Sequence, residues 1–403
     1  IRDSRILGCR GGRRTTRLHG PTGRPHGTLR AARLAHQFMR DDGEHHSKRW
    51  RVGGARAPPA QSMMDMGGVT KMDGATHRGC LDELFPAGRL PLMAAPMFLV
   101  SGPELAIACA TAGIVGSFPA PNARNVDLLE AWLAQVTSAL RDAPGASPWA
   151  LNMIVHSTYD RFERELELVM KYRPRIVSTA LGSPARVREH VHSYGGIVMA
   201  DVVTPTLARK AVDAGVDALI LVTHGAGGHT GYYNPFAFVA EVRQFWSGPL
   251  GLAGCMTSGR DIRAAQLIGA DFVVAGTRFI ATRESMASAE YRDLVVSSRI
   301  EDLVESKAVS GVLANWLKPT LHAAGIDASL NSEGKRIDFS GDISAGKKAW
   351  KDVWSAGQGL GAIERSSSVA ELVRQLECEY LEMLKTEREQ AGALLGRWRG
   401  ASV

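Results

Sequence analysis

A chain of 403 residues that is 45% hydrophobic and 22% charged has the composition of a soluble globular enzyme with one large domain or two ordinary ones. Its net charge of +7 is unevenly placed, since residues 1–60 hold 14 Lys and Arg against 4 Asp and Glu while the remainder holds 34 against 37. The fold therefore has no basic surplus for nucleic acid, the five cysteines form no CxxC pair for zinc or a disulfide frame, no apolar run reaches the roughly 20 residues of a membrane span, and the chain reads as cytoplasmic.

Residues 1–60 are rich in Arg, Gly, His and Pro and lack apolar periodicity, so they cannot offset their chain entropy by burial and are predicted to be a disordered basic tail. The chain begins at Ile1, and this tail reads as upstream sequence translated from a misassigned start, with native synthesis expected at Met63, Met64 or Met66. A transit peptide fits less well because Gly and Pro are frequent, and a nucleic-acid-binding arm less well because few aromatics interleave the charges.

Over residues 85–285 short apolar runs alternate with helix-like stretches. The runs are Leu92–Ala95, Ile114–Gly116, Trp149–Ile154, Ile176–Ser178, Ile197–Val202, Ala218–Val222, Leu250–Ala253 and Phe272–Ala275. Helices end in small-residue corners before the next run, as at Gly113, Gly215 and Gly269, where glycine supplies a left-handed cap. Eight such units predict an α/β fold, a (β/α)8 TIM barrel with reactive groups at the strand carboxyl ends, and an open doubly wound sheet is the second choice. Residues 286–395 read as a helical and loop extension packed on the barrel, ending in an amphipathic helix over 368–392.

Three strand-end loops would converge in a barrel. Ala95, Pro96 and Met97 follow the first run; this suits a backbone lying against a planar ring, though an ordinary turn explains it equally well. The sixth run opens into His224-Gly225-Ala226-Gly227-Gly228-His229, whose glycines admit close approach of a ligand and whose histidines titrate near neutrality. A tight turn with a solvated His229 is the competing reading, and His224 fits a positioning or structural role better than a reactive one. Gly254-Cys255 and Gly276-Thr277 close the last two runs, where barrels often build a phosphate site. Asn152 could present its amide to a cofactor, and His156, His224 and Tyr232 are candidates for the substrate pocket. Ser178, Thr179, Asp201 and Thr204 also stand near strand ends, where polar residues are usual.

With these residues in order, the chain resembles the nitronate monooxygenase (2-nitropropane dioxygenase) family of FMN-dependent barrels. The resemblance rests on Met93-Ala94-Ala95-Pro96-Met97, Ala112–Pro119, Leu151–His156, Gly225-Ala226-Gly227-Gly228-His229-Thr230-Gly231, Gly269–Thr282 and Trp354-Ser355-Ala356-Gly357-Gln358-Gly359. It implies FMN contacts from Asn152, Gly227, Gly228, Gly254, Gly276 and Thr277, with His229 facing the reactive flavin face. It also implies oxidation of nitronates or nitroalkanes with O2 to a carbonyl compound and nitrite; homo-oligomer formation is left open, and the composition gives no membrane or nucleic-acid partner. The chain departs from the best-known branch at Val222 and Gly225, which replace Gln and Glu, and at Cys255, which replaces Gly. The alternatives are a flavin-dependent NAD(P)H reductase of the FMN-type enoyl-acyl-carrier-protein reductase kind and a flavin-free phosphate-binding barrel.

Overall fold

A computed structural model describes residues 80–329 and 352–400. The basic tail of residues 1–60 and the start at Met63, Met64 or Met66 lie outside these residues. Eight parallel strands alternate with helices: β1 (Leu92–Ala94), β2 (Gly116–Pro119), β3 (Trp149–Ile154), β4 (Ile176–Ala180), β5 (Ile197–Val202), β6 (Ala218–Val222), then β8 (Leu250–Ala253) and β9 (Phe272–Ala275). A two-residue strand, β7 (Gly228–His229), falls inside the loop after β6.

Pairing runs in chain order from β2 through β6, then β8 and β9, and β9 pairs with β1. The ring closes where Ala94 N–H donates to Val115 O at 2.8 Å and Val115 N–H donates to Leu92 O at 3.1 Å. A first strand bonded on both sides has no free edge, so the molecule is a barrel rather than an open sheet. The second strand starts later than the run Ile114–Gly116 suggests, because Val115 is used for closure and Ser117-Phe118 for pairing with β3.

Alternation along the strands divides two cores. Inside lie Met93, Ala150, Ile176, Met199, Ile220 and Phe272, and Gly251 leaves the space its neighbour Phe272 fills. Leu84 and Phe85 seal the amino-terminal end, with the Phe85 ring 5.1 Å from that of Phe272. Outward residues such as Leu151, Val177, Leu219 and Leu252 pack beneath the helices. The outer helices are α1 (Pro103–Thr111), α2 (Val126–Arg141), α3 (Phe162–Tyr172), α4 (Ala185–Ser193), α5 (Pro205–Asp213), α6 (Pro235–Val242) and α7 (Gly259–Leu267). Their starts follow local chemistry: Asn125, Thr204, Asn234 and Ser258 accept from first-turn N–H groups, and Pro205 and Pro235 stand where no donor is needed. The corner glycines 113, 215 and 269 all have positive φ, as the sequence suggests.

After the barrel come α8 (Thr277–Ile280), α9 (Ala289–Ser297), β10 (Leu303–Ser306), β11 (Ala314–Leu317), α10 (Lys318–Ala323) and α11 (Val369–Gly400). The expectation of a helical and loop extension over 286–395 is corrected by β10 and β11, an antiparallel pair to which β7 adds as a third strand. The run Ala314–Leu317 is too short to show a period, and Asn315 and Trp316 conceal its burial on both faces. The Gly-rich loop is thereby stitched to the extension. Leu372, Val373 and Leu376 bury the first half of α11 against the outer core, and Arg263 of α7 pairs with Glu387. No described helix is long and apolar enough to cross a membrane.

Candidate active site

With the lower end plugged, the strand carboxyl ends form the available site. On the inner face Asn152 follows Ala150 along β3, and Asp201 follows Ile197 and Met199 along β5. Asn152 Nδ2 donates to Ser178 Oγ at 3.0 Å and to Asp201 Oδ2 at 3.3 Å. Burial pushes the Asp201 carboxyl up to about 7, and the Asn152 hydrogen bond only partly offsets this. Val222, Ala253 and Val274 line the other side. The floor is therefore polar on one half and apolar on the other.

Ala95, Pro96 and Met97 leave β1 in a loop fixed by two side chains. Ser101 Oγ donates to Ala95 O and accepts from Met97 N–H, both at 3.0 Å. Asn122 takes the N–H of Leu99, which has a φ of +59°, and donates to Met97 O and Ser101 O. At the end of the neighbouring β9, a Cβ on Gly276 would sit 3.4 Å from Met97 Sδ and 3.5 Å from Ala95 Cβ. The first and last strand-end loops are thus in contact.

The Gly-rich loop meets them through a segment from the extension. Gly357 N–H donates to Thr277 Oγ1 at 2.8 Å, and Gln358 N–H donates to Gly225 O at 2.9 Å. A Cβ on Gly227 would lie 2.7 Å from Gly357 N and 3.2 Å from Thr277 Oγ1, so only glycine lets these three backbones assemble. Gly254 has a φ of +119°, and a Cβ there would lie 2.5 Å from Thr223 Oγ1. Buried Asn315 donates to Ala226 O at 2.8 Å, and Thr230 N–H reaches Leu313 O. Gly227, Gly254, Gly276 and Thr277 therefore share one rim, with Gly228 paired to Asn315 beside them.

The histidines separate. His229 is half-buried on β7, opposite Ala314, with Nε2 3.3 Å from Ser310 Oγ. Burial lowers its pKa to about 4, which makes the imidazole neutral at pH 7. His224 is exposed, and its Nε2 pairs with Glu305 Oε1 of β10 at 2.7 Å. His156 contacts Thr158 through Nδ1 at 2.9 Å and its carbonyl accepts from Arg186 at 2.8 Å, on the β3 and β4 side of the mouth. Tyr232 is 57% exposed, and Tyr233 and Phe236 are exposed with it. Sequence reasoning missed Asn122, Ser310, Asn315 and the bracing role of Gly357. Each acts across a long chain separation, and only the Trp354–Gly359 landmark signalled the last.

The arrangement brings small residues, paired loops and the His229 imidazole together at the carboxyl ends of the strands. The nitronate monooxygenase of Paraburkholderia phytofirmans is 28% identical over 351 residues, covering 75% of this chain and 95% of its own. FabK from Thermotoga maritima shares the fold with a TM-score of 0.65 at 23% identity, covering 77% of this chain and 98% of its own. The nitroalkane oxidase from Streptomyces ansochromogenes gives a TM-score of 0.61 at 24% identity, covering 76% of this chain and 99% of its own. A family model described as nitronate monooxygenase matches residues 84–379. The chain belongs to the nitronate monooxygenase family and is an oxidoreductase.

Proposed function

We propose that the protein binds FMN at the carboxyl ends of its barrel strands and oxidises alkyl nitronates with O2 to a carbonyl compound and nitrite. The observation that carries this reading is the meeting of Gly227, Gly276, Thr277 and Gly357 beside His229 on its short strand. The residues fit the cofactor. A Cβ on Gly227 would force the rim apart, and the apolar Ala95-Pro96-Met97 segment offers a flat wall for a ring. Thr277 Oγ1 accepts from Gly357 N–H, which leaves its hydroxyl proton to donate to a phosphate oxygen. Gly254 and Gly276 would let the phosphate approach backbone N–H groups, and Asn152 would meet the ring from the polar side of the floor. Bound FMN would supply the electron transfer and the reaction with O2.

His229 is the residue this reading places against the substrate. With Nε2 3.3 Å from Ser310 Oγ, the imidazole would act on the substrate through its other nitrogen, as a hydrogen-bond donor to the nitro oxygens or as a proton acceptor according to its tautomer. An imidazole whose pKa lies near 4 is a weak base, so this reading expects slow proton removal from a neutral nitroalkane and faster turnover of preformed nitronate. The test is His229→Asn with FMN still bound. Oxidation of the neutral nitroalkane should fall by about 10²-fold, the lower end for general base catalysis. Oxidation of the nitronate should fall by about tenfold, as for a lost hydrogen bond. Undiminished oxidation of both substrates rejects the assignment. Rapid flavin reduction by NADH or NADPH without nitronate turnover supports the reductase reading instead.

A further inference from the structure

Asp201 stands apart among the inward-facing residues of the barrel. Ile197 and Met199 below it on β5 are core residues, and Val222 on β6 continues an apolar wall beside it. Its Oδ2 accepts from Asn152 Nδ2 at 3.3 Å, and its burial pushes the carboxyl up to about 7. A serine or threonine could accept the same hydrogen bond at a smaller desolvation cost, so packing alone does not account for a carboxyl group here.

The second bond of Asn152 completes the argument. β3 and β4 pair with Asn152 opposite Ser178, and the same Nδ2 donates to Ser178 Oγ at 3.0 Å. A primary amide has two N–H hydrogens. One goes to Ser178 and the other to Asp201, so the amide has only its Oδ1 to offer a ligand.

On the FMN-binding reading above, we infer that Asp201 is a positioning residue: with Ser178 it engages both N–H hydrogens of Asn152 and commits that amide to accept, through Oδ1, a hydrogen bond from an N–H of the bound ring. The isoalloxazine ring carries one such donor, its imide N–H. The arrangement selects a ring presenting a donor over one presenting an acceptor, because an acceptor would face the Oδ1 lone pairs. Asp201 acts through Asn152.

The test uses full-length protein reconstituted with FMN, in the wild type and in Asp201→Ala, Asp201→Asn, Asn152→Leu and the double Asn152→Leu/Asp201→Ala variant. Asp201→Ala should raise the FMN dissociation constant, read by quenching of flavin fluorescence, about tenfold. It should also shift the absorbance bands of the bound flavin. Asp201→Asn, whose Oδ1 can accept from Asn152, should return the affinity to within about threefold and restore the spectrum. The double variant should bind FMN no more weakly than Asn152→Leu alone, because the two residues act on one contact. Thermal unfolding of each variant without FMN shows whether the barrel is intact. Wild-type affinity and spectrum in Asp201→Ala overturn the inference, as does additivity in the double variant. If Asp201→Ala does not fold, failure of Asp201→Asn to keep the wild-type spectrum overturns it equally. A wild-type protein that binds no FMN overturns the cofactor reading and this inference with it, whereas normal wild-type binding with an unaffected Asp201→Ala overturns the inference alone.

Discussion

Two adjacent glycines in the loop after β6 should fail for different reasons when replaced. At Gly227 an added Cβ would lie 2.7 Å from Gly357 N and 3.0 Å from Ala356 C, both backbone atoms that cannot swing aside. Overpacking of this kind costs about 1–3 kcal/mol. Moving Gly357 also strains its hydrogen bond to Thr277 Oγ1, worth roughly another 1 kcal/mol. At Gly228 the φ is +66° and the nearest atom to a Cβ is Ser355 Oγ at 3.8 Å, so the cost is conformational alone, about 1–2 kcal/mol. Asparagine visits this left-handed region readily and alanine does not. Gly228→Asn should therefore recover most of what Gly228→Ala loses, while Gly227→Asn should be no better than Gly227→Ala. The assay is FMN affinity by fluorescence quenching, with thermal unfolding alongside. Gly227→Ala should weaken binding about 10- to 100-fold, and Gly228→Ala by less. Wild-type affinity in Gly227→Ala, or recovery by asparagine at 227, would refute the close-approach argument.

Three further outcomes follow from the same geometry. Thr277→Val removes the acceptor for Gly357 N–H and the hydroxyl offered to phosphate; FMN binding measured in fluorescence titrations should weaken about tenfold or more, and unchanged affinity contradicts this role. Asn122→Ala strips three hydrogen bonds from the loop after β1 and should cost about 2–4 kcal/mol in denaturant unfolding; a loss under 1 kcal/mol would show the loop is held otherwise. His229 has a folded pKa of about 4 against an ordinary 6.5, so the fold prefers the neutral ring. Its penalty is absent above about 6.5 and grows as the pH falls toward 4, to an order of 1–3 kcal/mol because solvent partly reaches the ring. Denaturation of wild type and His229→Asn across this range should show the steeper acid loss in the wild type, and parallel curves would contradict the burial of the ring.

The barrel was legible because its signals are local. Buried parallel strands read as apolar runs, and corners at Gly113, Gly215 and Gly269 mark helix ends by backbone conformation alone. The glycines of the loop after β6 stood out in the sequence as a cluster, but the reason a side chain is excluded at Gly227, the backbone of Ala356 and Gly357, lies some 130 residues on. The extension was less legible. Asn315 and Trp316 carry no strand period, and their burial comes from pairing with β10 and β7, which lie on opposite sides of β11. The separate environments of His224 and His229 were also hidden: one meets Glu305 and the other Ser310, both some 80 residues on in the chain. Asp201 is ordinary in sequence, and its meaning depends on Asn152 standing two strands away.

The central claim is tested most directly by the absorbance spectrum of the protein reconstituted with FMN, recorded before and after anaerobic addition of a preformed alkyl nitronate. The account predicts a bound-flavin spectrum that bleaches with the nitronate and returns when O2 is admitted, with nitrite released. A colourless protein after reconstitution, or a flavin that bleaches with NADH or NADPH and is untouched by the nitronate, would contradict it.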